Sequence, residues 1–96
     1  VILHIHDGAR QEFLNAVEFY AEESQQTPER FISEVENALD EISLFPQRYP
    51  LYRGKYRRKI LKKHPFAIFY LVEEDEITVT GIYHTSRKPD RWMGRK

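Results

Sequence analysis

The chain opens on a period of two. Leu3 and Ile5 alternate with His4 and His6, the pattern of a strand with one covered face. Asp7 follows with the chemistry of an N-cap, a side-chain oxygen able to accept the free amides that begin a helix. From there the period lengthens: Ala9, Phe13, Ala16, Val17 and Tyr20 recur at helical spacing as one apolar stripe. Glu12, Glu18, Glu22 and Glu23 fall mostly off it, on a face expected to meet water. Residues 24–28 break the pattern. Thr27 followed by Pro28 then starts a second helix, because proline at the first helical position forfeits no internal hydrogen bond, and Glu29 suits the positive end of the helix dipole. Phe31, Val35, Ala38, Leu39 and Ile42 make the second stripe, which ends before Phe45-Pro46.

After a turn-rich stretch over 46–54, residues 56–61 read as a strand with one very basic face. Residues 66–72 are apolar on both faces, as in a central strand covered on both sides. Glu73-Glu74-Asp75-Glu76 forms a polar hairpin turn, and 77–84 is the last strand. The predicted architecture is α+β in the order β-α-α-β-β-β: an antiparallel sheet with a helical hairpin packed on one face. The second face of the central strand is apolar too, so either the C-terminal segment or a partner is expected to cover it.

Composition narrows the class. Ninety-six residues, 41% hydrophobic and 31% charged, suit one globular domain spanning residues 1–96. Cysteine is absent, which excludes disulfides, thiolate metal sites and a cysteine nucleophile. The longest apolar run, 65–72, is far short of the roughly 20 residues that cross a bilayer. No basic stretch followed by an apolar run opens the chain, so a cytoplasmic domain without membrane contact is expected. Because it begins at Val1, a few leading residues are expected to be missing.

Net charge is zero, but the zero hides four blocks. Residues 1–47 hold ten acids against two bases, and 48–64 hold eight bases and no acid. Residues 65–86 carry only four acids, Glu73 to Glu76, and 87–96 hold five bases against Asp90. Such segregation either gives a neutral protein a cationic face for a polyanion or lets acidic helices complement a basic strand.

Catalytic signatures are thin. His4, His6, His64 and His84 have no helical i,i+4 partner and no cysteine beside them, so neither a metal site nor a cofactor is expected. His84 ends the last strand beside Thr85, Ser86 and Arg87, a place for an acid/base group or for a loop-bonding histidine. Ser86, His84 and Asp90 make a triad only on paper, with no nucleophile elbow, and Gly8, Gly54, Gly81 and Gly94 are too scattered for a phosphate loop. The informative feature is the basic run Arg48, Arg53, Lys55, Arg57, Arg58, Lys59, Lys62 and Lys63, interleaved with Tyr49, Tyr52 and Tyr56. It suits RNA phosphates and bases, or a carboxylate-rich protein surface, or a lysine-guarded strand edge.

The ordered motifs then resemble a known family. Helix one from Ala9 through Tyr20, Ile42-x-x-Phe45-Pro46, Tyr56-Arg57-Arg58, Pro65-Phe66-Ala67-Ile68-Phe69-Tyr70, Asp75-x-Ile77-x-Val79 and His84-x-x-Arg87-x-Pro89-x-x-Trp92 together resemble the RelE/ParE superfamily of bacterial type II toxins, over nearly the whole chain. RelE-like members are ribosome-dependent mRNA endonucleases, ParE-like members inhibit DNA gyrase, and both are neutralised by an antitoxin encoded beside them. Carried over to this chain, the endonuclease constellation would use Arg57 and Lys59, with Arg87 and with His84 compensating. However, Ala67 stands where its central arginine belongs, and no tyrosine follows Arg87.

The resemblance therefore leans to the ParE side. It implies a toxin that acts by binding, with Arg57, Arg58, Arg87, Arg91 and Trp92 meeting the target, and Phe66, Ile68 and Tyr70 meeting the antitoxin. The complex is expected to be oligomeric and the free chain less soluble than the complex. A member that has lost toxicity and only binds its antitoxin is the third reading.

Overall fold

The change of period at residue 7 is where the first strand becomes the first helix. The computed structural model describes residues 2–23 and 27–86. Its elements are β1 (Ile2–Ile5), α1 (Asp7–Glu23), α2 (Pro28–Leu44), β2 (Leu51–Arg53), β3 (Tyr56–Ile60), β4 (Phe66–Glu73) and β5 (Glu76–His84). Asp7 is the first helical residue rather than the cap. His6 takes that place: its carbonyl accepts the Arg10 amide and its Nδ1 accepts the Gly8 amide at 2.9 Å. Asp7 instead puts its charge in the first turn, where the helix dipole favours it. At α2, Thr27 is extended, as a residue before proline must be, and makes no side-chain cap; Pro28 opens the helix as expected.

The five strands lie in the order β1-β5-β4-β3-β2. Three neighbours pair antiparallel, but β1 pairs with β5 in parallel, so the sheet is mixed where an antiparallel one was expected. The reason is direction. The helical hairpin delivers the chain to the far edge of the sheet at β2, running opposite to β1. Three antiparallel reversals then bring β5 back beside β1, pointing the same way. Local sequence carries no trace of such a long crossover. β2, three residues inside the stretch read as turns, is the strand sequence reasoning missed.

β4 is central, and its alternate residues build two clusters. Phe66, Ile68 and Tyr70 face the helices and pack with Ala9, Ala16, Tyr20, Phe31, Val35, Ala38 and Ile42. Ala67 and Phe69 face the other way, with Tyr83, Tyr52 and Tyr56. A bulge makes this arrangement possible: Phe69 pairs with Gly81 but Tyr70 with Val79, which leaves Thr80 as an extra residue on β5. Ile77 and Val79 before it, and Ile82 after it, therefore all reach the helix side, and Tyr83 is turned to the outer face.

Candidate interaction surface

The basic run does not form one face. On β3, Arg57 and Lys59 pair with Tyr70 and Ile68, so they share the helix-covered side, whereas Arg58 pairs with Phe69 and points outward. Arg57 is occupied internally: its guanidinium donates to the Tyr49 carbonyl at 2.7 Å and the Gln47 carbonyl at 3.3 Å, latching the 46–50 segment to the sheet. Lys59 is 11% exposed, 3.6 Å from the Glu41 carboxylate and 4.4 Å above the Tyr49 ring. Tyr70 completes the latch by donating its hydroxyl to the Pro46 carbonyl at 2.6 Å. Burial pushes that phenol up to about 12, against the opposing pull of the Arg57 charge.

Arg58 lies 4.4 Å over the Tyr52 ring, with Arg53 5.5 Å from the same ring. Tyr52 meets Phe69 edge-on at 5.5 Å, and Phe69 meets Tyr83 at 6.2 Å. Of the residues expected to meet the target, Arg57 and Arg58 are described, and only Arg58 stands on this outer aromatic row. Arg87, Arg91 and Trp92 lie outside the described residues.

Phe66, Ile68 and Tyr70, expected to meet the antitoxin, are buried in the core under the helices. Their strand mates Ala67, Phe69 and Leu71 hold the outer side instead, and all three are buried as well. Strand alternation told that the two sets differ, but not which one the helices would take.

His84 is half-buried beside Phe66, its Nδ1 at 2.8 Å from the Ser86 hydroxyl and 3.1 Å from the Ser86 amide that bonds to it. It lines a 360 Å³ cavity with Glu12, Phe19 and Ser86 next to α1. Lys59 lines a different cleft, beside α2. Of the described endonuclease set, Arg57 and Lys59 both reach Tyr49, whereas His84 opens on a different recess. Glu12, expected on the solvated face of α1, is half-buried, and its carboxylate accepts the Ile82 amide at 3.1 Å just past the bulge. His4 bonds Glu76 at 2.8 Å, and among the described residues no three His, Asp or Glu side chains gather as a metal site.

One polar centre escaped sequence reasoning. His64 is buried against the Tyr20 and Phe31 rings, and its Nδ1 is 2.8 Å from one oxygen of Glu34. The other oxygen accepts the amides of Lys62 and Lys63 at 2.9 and 2.8 Å. The clip ties the β3–β4 turn to the middle of α2. Desolvation works to raise the Glu34 carboxyl, but the hydrogen bonds from His64, Lys63 and Lys62 outweigh it and hold the group below the usual carboxylate range. The only sequence signal was one of four glutamates on α2 and a histidine thirty residues on.

Residues 3–89 match a family model described as the ParE toxin of type II toxin-antitoxin system, parDE. Among solved structures, a chain of the chromosomal ParDE toxin-antitoxin system from P. aeruginosa is similar in fold, with a TM-score of 0.65. It is 18% identical, over 88% of this chain and 95% of that one. No curated protein matches the sequence significantly.

Proposed function

The chain belongs to the ParE toxin family of type II toxin-antitoxin systems, and on that premise we propose that it arrests bacterial growth by binding its target rather than by cleaving RNA. DNA gyrase is the target this reading assigns. The observation that carries it is the dispersal of the endonuclease set: Arg57 and Lys59 are spent on the 46–50 segment and on α2, and His84 lines a separate cavity. Ala67, buried on the outer side, has no charge to offer a phosphate. Catalysis of phosphodiester cleavage needs cations converging on one transition state. On the outer side half-buried Tyr52 and Arg58 lie over a buried floor of Phe69 and Tyr83, and a cation on an aromatic ring is a pairing common at protein-binding surfaces.

In the same reading an antitoxin neutralises the protein in an oligomeric complex in the cytoplasm. No helix among the described residues is long and apolar enough to cross a membrane. The test is pulse-labelling just after the chain is induced alone. Thymidine incorporation is expected to fail before methionine incorporation, and purified gyrase to lose supercoiling activity. Early arrest of methionine incorporation would return Arg57, Lys59, His84 and Arg87 to candidacy as an endonuclease site. No effect on either label would leave an antitoxin-binding chain without toxicity.

A further inference from the structure

β3 outlasts its neighbour. β2 pairs with it only at Tyr56 and Arg57, and the last cross-strand bond runs from the Arg58 amide to the Pro50 carbonyl at 3.1 Å. Pro50 has no N–H to return, so the ladder does not continue upstream. Antiparallel pairing alternates: the Leu61 amide turns inward to the Phe66 carbonyl, so the main-chain groups of Ile60 face the outer edge. Among the described residues no hydrogen bond reaches them, and the Ile60 side chain is 51% exposed.

Beside this edge, under α2, opens a cleft of about 650 Å³ whose wall includes Arg30, Asn37, Ala38, Leu61, Lys62 and Lys63. Its two carboxylates are already engaged, Glu34 by His64 and two amides and Glu41 by Lys59. Arg30, Lys62 and Lys63 have no ion pair among the described residues, which leaves the cleft with uncompensated positive charge.

We propose that this edge and cleft receive an acidic, extended segment of the antitoxin, added to the sheet as a short strand beside β3 at Ile60. An open N–H and C=O on one residue match a peptide backbone, and Ala38 with Leu61 gives its apolar side chains a floor. A nucleic-acid strand would use the cations but neither the edge nor the floor. Acidic side chains of the added strand meet Lys62, Lys63 and Arg30, which steers the encounter and sets the register. The inference rests on the reading of this chain as an antitoxin-bound toxin.

The test uses the full chain and the antitoxin encoded beside it. Hydrogen exchange at the Ile60 amide is expected to slow by about a hundredfold in the complex. The triple variant R30E/K62E/K63E should raise Kd by about tenfold or more, with much of the loss in association rate and in salt dependence. Ile60→Pro removes only an outward donor at a strand edge, so it should keep the melting temperature while weakening binding by about tenfold. A complex that forms with the Ile60 amide still exchanging freely, and with both variants binding normally, overturns this docking surface and leaves the toxin-antitoxin reading intact. Absence of any complex overturns the toxin-antitoxin reading, and the docking surface falls with it.

Discussion

The face of the sheet under the helices and the face turned away from them are built from alternate residues of the same strands, yet they are filled differently. Under the helices, Phe66, Ile68 and Tyr70 meet two apolar helix stripes, and the cations that point that way are neutralised or bonded. On the outer side a smaller cluster of Ala67, Phe69 and Tyr83 is flanked by tyrosines, with Arg58 and Arg53 over one of their rings. Arg57 and Arg58 are chemically identical neighbours, but one holds a loop and the other lies over the Tyr52 ring on the outer side. A basic run in a strand is therefore two sets of residues, and only one of them is a surface.

Removing Phe31 should break the comparison hardest. Its ring stacks on Phe13, meets His64 edge-on and lies tilted against Tyr20 and Phe66, so Phe31→Ala should cost about 3–5 kcal/mol in denaturant unfolding. A loss under about 1 kcal/mol would mean the helix-covered cluster is not the main source of stability. Glu34→Ala comes next: it strands buried His64, hands two exposed amides to water and should cost about 1–3 kcal/mol. The pair Arg57→Ala and Arg58→Ala sharpens the contrast between faces. The first should lower stability by about 1–2 kcal/mol through its lost carbonyl bonds. The second should change stability by less than about 0.5 kcal/mol while weakening growth arrest in the induced cell. The reverse pattern would exchange the roles assigned to the two faces.

Two titrations give smaller effects. The depressed Glu34 carboxyl contributes stability that is present above the ordinary carboxylate range and is lost as pH falls through its lowered value. Glu34→Gln should therefore flatten the acid limb of the stability profile relative to the unchanged chain. Tyr70, with its phenol raised to about 12, contributes stability present below the ordinary phenol value and lost as pH rises through the raised one. In an alkaline phenolate titration it should ionise late, and Tyr70→Phe should remove that late step at a cost of about 1 kcal/mol.

Much of the fold was legible along the chain. The apolar stripes of both helices, Pro28 as a helix start, the two-faced central strand and the polar hairpin turn each depend on residues a few positions apart, where periodicity and local chemistry suffice. What the chain alone left open depends on residues far apart in sequence. The parallel β1–β5 pairing follows from the whole path of the chain. The Thr80 bulge decides that Tyr83 joins Phe69 on the outer side. The helices chose Phe66, Ile68 and Tyr70 over Ala67, Phe69 and Leu71, and that choice turned expected antitoxin contacts into core.

The same division holds at the interaction surface. Residue types gave the cations and tyrosines, because charge and aromaticity belong to each residue alone. Whether a given cation is bound inside or turned outward is a property of strand parity and of what the loop before it offers, as Tyr49 and Gln47 offer their carbonyls to Arg57. The His64–Glu34 clip spans thirty residues and gives the Nδ1 of buried His64 a partner that no local pattern announces. Short-range periodicity determined the elements; the pairing of distant strands, and the long-range partners found by Arg57, Tyr70 and Glu34, decided which side chains remain for function.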